Sequence, residues 1–239
     1  MLLWMLAALI GYFVKGVAGI GNTLVVTSVM AYTHNNAEIT PVELLLCVPT
    51  NLAVTWVYRR HINWRLALAP LLMVVAGDML GVLLLKNADV TVLKAVFGAA
   101  LILLSIEQLW RELRGKAGKK LTPALMLVLG ISAGVLCGMF GVGALLAAYL
   151  SRVTNDDMTY KGTMSIIFTI ENIFRVIAYS AAGLLTAISL SRAALLLPFM
   201  GLGLFLGIRL SSRLNARVMR ILIGVMLLLS GIPLIVTAM

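Results

Sequence analysis

The stretch KGVAGIGNTL, from Lys15 to Leu24, interrupts a strongly apolar run with three glycines and an Asn-Thr pair. A related stretch, CGMFGVGALL, runs from Cys137 to Leu146, 122 residues later. Glycine adopts backbone dihedrals that other residues avoid, so both stretches predict a break or a turn inside an apolar segment. Their recurrence indicates that the chain is built from two related halves.

The composition excludes an ordinary soluble domain. Of the 239 residues, 62% are hydrophobic and 12% are charged, and the mean hydropathy is +1.05. Soluble domains usually carry about twice that charged fraction. We therefore predict an integral membrane protein. Most Lys and Arg lie between the apolar runs, so we interpret the net charge of +10 as a signal of membrane topology rather than of nucleic-acid binding. No basic residue precedes the first apolar run, so a cleaved signal peptide is not expected.

Eight apolar segments are predicted, and two of them are too long for a simple span. The first and fifth contain about 30 residues each and would form helices of about 45 Å, whereas a bilayer core is about 30 Å thick. Both contain a glycine cluster near the middle. The segments extend over about 1–32, 41–58, 66–86, 90–110, 122–151, 160–183, 191–211 and 216–237.

Ordered blocks of residues recur between the halves. The shift is 122 residues for the first glycine block, 121 for an asparagine and 126 for a second glycine block. Three blocks in the same order predict a repeat from 1 to 110, a basic cytoplasmic linker at 111–121 and a second repeat from 122 to 239. The matched pairs are Gly16–Gly138, Gly19–Gly141, Gly21–Gly143, Asn51–Asn172, Gly77–Gly203, Gly81–Gly207 and Gly98–Gly224.

The distribution of Lys and Arg predicts how the fifth segment meets the membrane. If this segment crosses, the loop charges divide 9 against 8; if it re-enters, they divide 14 against 3, a strong positive-inside bias. The loop after the first segment carries no Lys or Arg, so the first segment is left open between re-entering and crossing. We predict an all-α polytopic membrane protein of two inverted repeats. Each repeat comprises a glycine-rich re-entrant or broken helix hairpin and three transmembrane helices, and both termini lie outside the cytoplasm.

The half-helices that start near Gly21 and Gly143 would point free backbone N–H groups and partial positive charge into the membrane. Two such ends that converge form an anion site. The residues predicted to bind the anion are Gly19, Gly21, Asn22, Thr23, Asn51, Gly141, Gly143, Asn172 and Arg175. For the asparagines, binding of substrate oxygens and support of the broken backbone both stay open, and Asn22 and Thr23 are candidates either to cap the half-helix or to touch substrate.

Four charged residues are predicted at membrane depth, where charge is costly and commonly functional. Arg175 offers planar donors to a sulfonate or sulfite, or pairs with Glu171 one helical turn away. Lys15 faces the anion or extends to the surface. Asp78 is either a proton or cation carrier or a fixed partner for a basic residue. We treat Lys15, Asp78 and Glu171 as candidate coupling groups or charge partners.

The paired segments GVAGIGNTLVV and GMFGVGALLAAYL, the duplication and the small size resemble the TauE/SafE family of sulfite and organosulfonate exporters, also called the toluenesulfonate uptake permease family. The resemblance implies transport of sulfite, sulfoacetate or other sulfonates across the cytoplasmic (inner) membrane of a prokaryote. The chain departs from the family pattern at Asn22-Thr23 and at Ala144-Leu145, where further glycines are usual.

The leading hypothesis is a secondary transporter of small sulfur-containing anions. An anion channel of the same architecture and a transporter of another small anion, such as a carboxylate, are the alternatives, and an intramembrane enzyme or a membrane scaffold has less support. We expect no enzymatic activity and no cofactor. We also expect no metal site, because His34 and His61 lack partners at metal-ligand spacing. The expected partners are the anion, the lipid bilayer and a coupling ion, with no nucleic acid. The sequence does not decide the anion, the direction, the coupling ion or the oligomeric state.

Overall fold

A computed structural model gives the architecture. It describes residues 1–30, 33–34, 36–87, 98–99, 102–103, 105–106, 109–110, 113–114, 123–140, 143–154 and 156–211, together with ten positions between 218 and 236. In chain order the helices are α1 (Leu2–Ala18), α2 (Asn22–Met30), α3 (Asn36–Tyr58), α4 (Trp64–Asn87), α5 (Pro123–Phe140), α6 (Ala144–Val153), α7 (Asp157–Ala181) and α8 (Ala187–Ser211), with a short 3-10 turn at Arg59–His61. The described residues contain no β-strand.

Four of these helices are long and apolar enough to cross a membrane, over Glu38–His61, Trp64–Leu84, Asp157–Ala181 and Ala187–Ser211. They correspond to the predicted segments 41–58, 66–86, 160–183 and 191–211. The prediction of an all-α polytopic membrane protein is therefore confirmed. Most of the predicted segments 90–110 and 216–237, and of the linker at 111–121, lies outside the described residues.

The first long segment is broken at its glycines. Helix α1 ends at Ala18, Gly19 and Gly21 take positive φ angles of 83° and 101°, and α2 begins at Asn22. Positive φ is the region in which glycine carries no steric penalty, which explains why glycine occupies these positions. Gly11 in the middle of α1 packs against the backbone of Asn22. Helix α2 therefore starts level with the middle of α1.

The second long segment is also divided into two helices, α5 and α6. Gly143 precedes α6, and its backbone lies so close to the Phe168 ring that a Cβ atom would clash with the ring. The predicted site residue Gly141 lies outside the described residues.

Glycine contacts in the two halves follow the shifts found in the sequence. On α8, Gly203 packs against the backbone of Leu9 and Phe13 in α1, and on α4, Gly77 packs against that of Ile131 and Val135 in α5. The second glycine of each helix repeats the pattern, because Gly207 packs against Phe13 and Gly16, and Gly81 packs against Val135 and Gly138. Later residues on one helix contact later residues on the other, so α1 runs parallel to α8, and α4 runs parallel to α5.

The packing of the other elements keeps this equivalence. Each contact in one half has a counterpart in the other: α1–α2 corresponds to α5–α6, α2–α3 to α6–α7, and α3–α8 to α4–α7. Helices α3 and α7, which occupy matching places in the two halves, pack against each other. Exchanging the two halves leaves this pattern unchanged. The outer faces of α4 and α8 expose apolar side chains such as Leu72, Leu83, Leu195 and Phe205, as lipid-facing helices do.

Candidate functional site

A cavity lies where the broken segments meet the middle of α7. Its empty volume is about 460 Å³, including the space at its mouth. The walls come from the turn between α1 and α2, from α3, from the start of α6 and from α7. The lining residues are Lys15, Gly19, Ile20, Gly21, Asn22, Thr23, Leu24, Cys47, Asn51, Gly143, Phe168, Glu171, Asn172 and Arg175.

Arg175 brings a buried guanidinium to this cavity. It is 2% exposed and donates to the backbone carbonyl of Cys137 and, at 3.0 Å, to Oδ1 of Asn172. It also lies 3.4 Å from a carboxylate oxygen of Glu171, the ion pair that the helical spacing predicts. These contacts hold the guanidinium plane in one orientation.

Two donors next to these contacts have no acceptor among the described residues. They are Nε of Arg175 and Nδ2 of Asn172, and both are fully buried. A buried donor without a partner costs about 1–3 kcal/mol, so native proteins rarely keep one unless a ligand or water satisfies it. Both donors belong to cavity-lining residues.

Lys15 supplies the second positive charge. It is 3% exposed, its Nζ donates to Thr50 Oγ1 at 3.0 Å, and the ammonium lies 5.6 Å from the centre of the Tyr12 ring. The Lys15 side chain is therefore buried in the wall of the cavity.

Glu43 on α3 organises the first half of the site. Its Oε1 accepts from Asn22 Nδ2 at 2.5 Å, from Thr23 Oγ1 at 3.3 Å and from the Tyr12 hydroxyl at 3.3 Å. Asn22 also donates to Cys47 Sγ at 3.0 Å. The side chains of Asn22 and Thr23 thus bind the start of α2 to α3. The backbone N–H groups in the first turn of a helix have no partner within the helix, so those of Asn22 and Thr23 are available to a ligand in the cavity.

Asp78 lies behind the cavity wall rather than in it. It is fully buried on α4, next to the backbone of Gly138, and its carboxyl group faces that of Glu171 at hydrogen-bonding range. Tyr179, one turn beyond Arg175, donates its hydroxyl to the Gly138 carbonyl at 2.8 Å and closes this side.

The structure brings most of the predicted residues together. Gly19, Gly21, Asn22, Thr23, Asn51, Gly143, Asn172, Arg175, Lys15 and Glu171 all line the same cavity. Glu43 is missing from the prediction. The signal for it is the spacing of Glu43, Cys47 and Thr50 along one face of α3, which places all three beside Asn51.

The chain matches one known protein family over nearly its whole length. The model of the family described as sulfite exporter TauE/SafE matches residues 3–234. The chain belongs to this family. A search of curated proteins and a search of solved structures each gave no match.

Family membership makes this TauE/SafE protein a multi-pass membrane transporter of the sulfite and anion exporter class. The resemblance stated from the glycine segments is thereby confirmed. The departures from the family pattern now have a local role in the first half, since Asn22 and Thr23 bind Glu43.

Proposed function

We propose that this TauE/SafE protein is a secondary transporter that binds a small sulfur-containing anion, such as sulfite or an organosulfonate, in the cavity beside Arg175. The observation that carries the proposal is the pair of unpartnered buried donors, Arg175 Nε and Asn172 Nδ2. An anion with several oxygens accepts from both donors and from the first backbone N–H groups of α2.

We further propose that both broken segments re-enter the membrane and that the two halves are inverted repeats. For the second half, α4 and α5 are parallel, and the backbone N–H of Asn63, just before α4, donates to Thr163 Oγ1 near the start of α7 at 3.1 Å. Helices α4, α5 and α7 then begin on one side of the membrane. The chain between α5 and α7 would enter and return there.

The first half gives the matching support from the opposite side. Helices α1 and α8 are parallel, and Glu38 near the start of α3 lies 3.5 Å from Arg192 near the start of α8. Helices α1, α3 and α8 then begin together, and α1 with α2 would form a hairpin from that side. Placement in the inner membrane rests on the family, and placement of both termini outside the cytoplasm rests on the positive-inside charge count.

Efflux from proteoliposomes tests the transport proposal. Vesicles that contain the purified protein are loaded with radiolabelled sulfite, and the efflux rate is compared between the native protein, Arg175→Gln and the control Arg192→Gln, which removes an arginine distant from the cavity. Because a hydrogen bond to a charged group contributes about 1.5–3 kcal/mol, we expect Arg175→Gln to slow efflux by about tenfold or more.

Arg175→Lys keeps the charge but loses the planar set of donors, and it should also be slow. A cooperative thermal transition in each variant shows that the protein is folded. Saturable efflux that depends on Arg175 supports the transporter, efflux that never saturates favours the channel alternative, and equal efflux from Arg175→Gln and the native protein overturns the site.

A further inference from the structure

Among the described residues, five charged side chains lie in the wall of the cavity or directly behind it. Lys15 and Arg175 are positive, and Glu43, Asp78 and Glu171 are negative; each is at most 3% exposed. If all five are ionised, the cluster carries one net negative charge. An anion that enters such a cluster is repelled, and the low polarisability of the interior makes the repulsion stronger than in water.

The three carboxyl groups have different surroundings. Oε1 of Glu43 accepts hydrogen bonds from four side chains, those of Tyr12, Asn22, Thr23 and Cys47. By contrast, none of the four carboxyl oxygens of Asp78 and Glu171 accepts a hydrogen bond from the part of the chain that the structure describes. These two carboxyl groups face each other.

The charged and titratable groups around this pair come from α7 itself and from two other helices, α5 and α1. Arg175 and Tyr179 face the pair from α7, and Cys137 faces it from α5. Lys15 acts on Glu171 from α1. Arg175 lies 3.4 Å from a carboxyl oxygen of Glu171, and its charge also acts on Asp78. Two adjacent carboxylates that share one cation and have no other donors are stabilised when they hold one proton between them.

We propose that Asp78 and Glu171 form a proton site, and that the proton and the sulfur-containing anion bind to the protein together. The inference rests on the proposed function. A proton from solvent joins the pair, hydrogen-bonds the two carboxyl groups to each other and brings the cluster to zero net charge. The anion then enters without the repulsion, so transport is a symport of anion and proton.

Binding linkage makes the proposal measurable. If binding of the proton strengthens binding of the anion, then binding of the anion strengthens binding of the proton by the same free energy. Anion binding should therefore take up protons from a weakly buffered solution, and the anion Kd should rise by up to about tenfold per pH unit once the pair loses its proton.

The test uses purified protein in detergent with sulfate, thiosulfate and sulfoacetate as probes. Sulfite is left out because it titrates near neutral pH. Proton uptake on binding is followed with a pH indicator, and the Kd of each bound probe is measured across pH. Asp78→Asn places a permanent N–H donor against Glu171, so it should bind the anion with little pH dependence and with no proton uptake. Glu171→Gln is the second variant, and Glu38→Gln, an exposed carboxylate on α3, is the matched control.

The outcomes separate the two proposals. Proton uptake in the native protein and in Glu38→Gln, lost in Asp78→Asn, supports the proton site. Anion binding without proton uptake overturns the coupling and leaves the anion site standing. Uptake that persists in both Asp78→Asn and Glu171→Gln moves the proton elsewhere and also overturns the assignment. If no sulfur-containing anion binds to the folded protein, the anion site and the proton site fall together.

Discussion

Arg175 and Lys15 are the kind of site residue that a sequence can reveal. Lys15 is the single charge of the first apolar segment, and Arg175 lies with Glu171 near the middle of the sixth. The cost of placing charge at such depth points to a specific role on sequence grounds alone. The fold adds what spacing does not contain: the guanidinium is fixed by the Cys137 carbonyl and by Asn172, and one of its donors is left without a partner among the described residues.

Glu43 could not be singled out so easily, because it lies only five residues after Glu38, near the predicted end of its segment. At such a position an acidic residue usually faces water or a lipid headgroup. The backbone path of α2 brings Asn22 and Thr23 onto it, and that path depends on tertiary packing rather than on local sequence.

The role of Glu43 gives a prediction for this residue. Glu43→Leu removes the common acceptor of Asn22, Thr23 and Tyr12 and should destabilise the protein by about 1–3 kcal/mol for each buried donor left unpaired. Glu43→Gln keeps one carbonyl acceptor and should lose less. Thermal unfolding in detergent measures both variants. Equal melting temperatures for Glu43→Leu and the native protein would contradict this role.

Among the helices, the glycines of α4 and of α8 recur with a spacing of four residues, which places them on one helix face and favours close packing. The sequence could not give their partners, because the contacts of α8 with α1 and of α4 with α5 join residues more than fifty positions apart. The contacts nevertheless repeat both sequence shifts: the glycines of α8 lie 126 residues after those of α4, and their contact residues in α1 lie 122 residues before those in α5.

A matched pair of substitutions on α8 tests the glycine packing. A Cβ at Gly207 would meet the backbone of α1, whereas a Cβ at Gly201 would meet no atom within 4 Å. Gly207→Leu should therefore separate α1 from α8 and lower the melting temperature by several degrees, since overpacking costs about 1–3 kcal/mol. Gly201→Leu should leave the melting temperature unchanged or raise it, because leucine is the better helix former. Equal effects at both positions would contradict the packing of these helices.

For the whole molecule, the charge count predicts a re-entrant second half, and the contacts at the helix ends support the same proposal. This support does not depend on the position of the membrane, because the parallel helices and the contacts between helix starts show which helix ends are neighbours. The first half carried no loop charge to count, so only the repeat and the helix contacts bear on it.

The proposed topology predicts which loops face each side of the membrane. Single cysteines at Arg60 and Asp156 should react with an impermeant thiol reagent from the cytoplasm only, and cysteines at Glu38 and Ser191 should react from outside only. All four positions are exposed, whereas the native Cys47 and Cys137 are buried and give a low background. Labelling of Asp156→Cys from the side opposite to Arg60→Cys would contradict the re-entrant second half.

The binding of a sulfur-containing anion beside Arg175 is tested most directly by thermal stability against a panel of anions. Sulfite, sulfate, thiosulfate, sulfoacetate, taurine, an aromatic sulfonate and carboxylate controls are added to the native protein and to Arg175→Ala. A ligand that binds only the folded state raises the melting temperature. At a ligand concentration of a hundred times Kd, it adds about 2.7 kcal/mol to the free energy of unfolding. We predict a rise with at least one sulfur-containing anion that disappears in Arg175→Ala. A cooperative transition that no sulfur-containing anion shifts, or an equal shift in the variant, would contradict binding at this site.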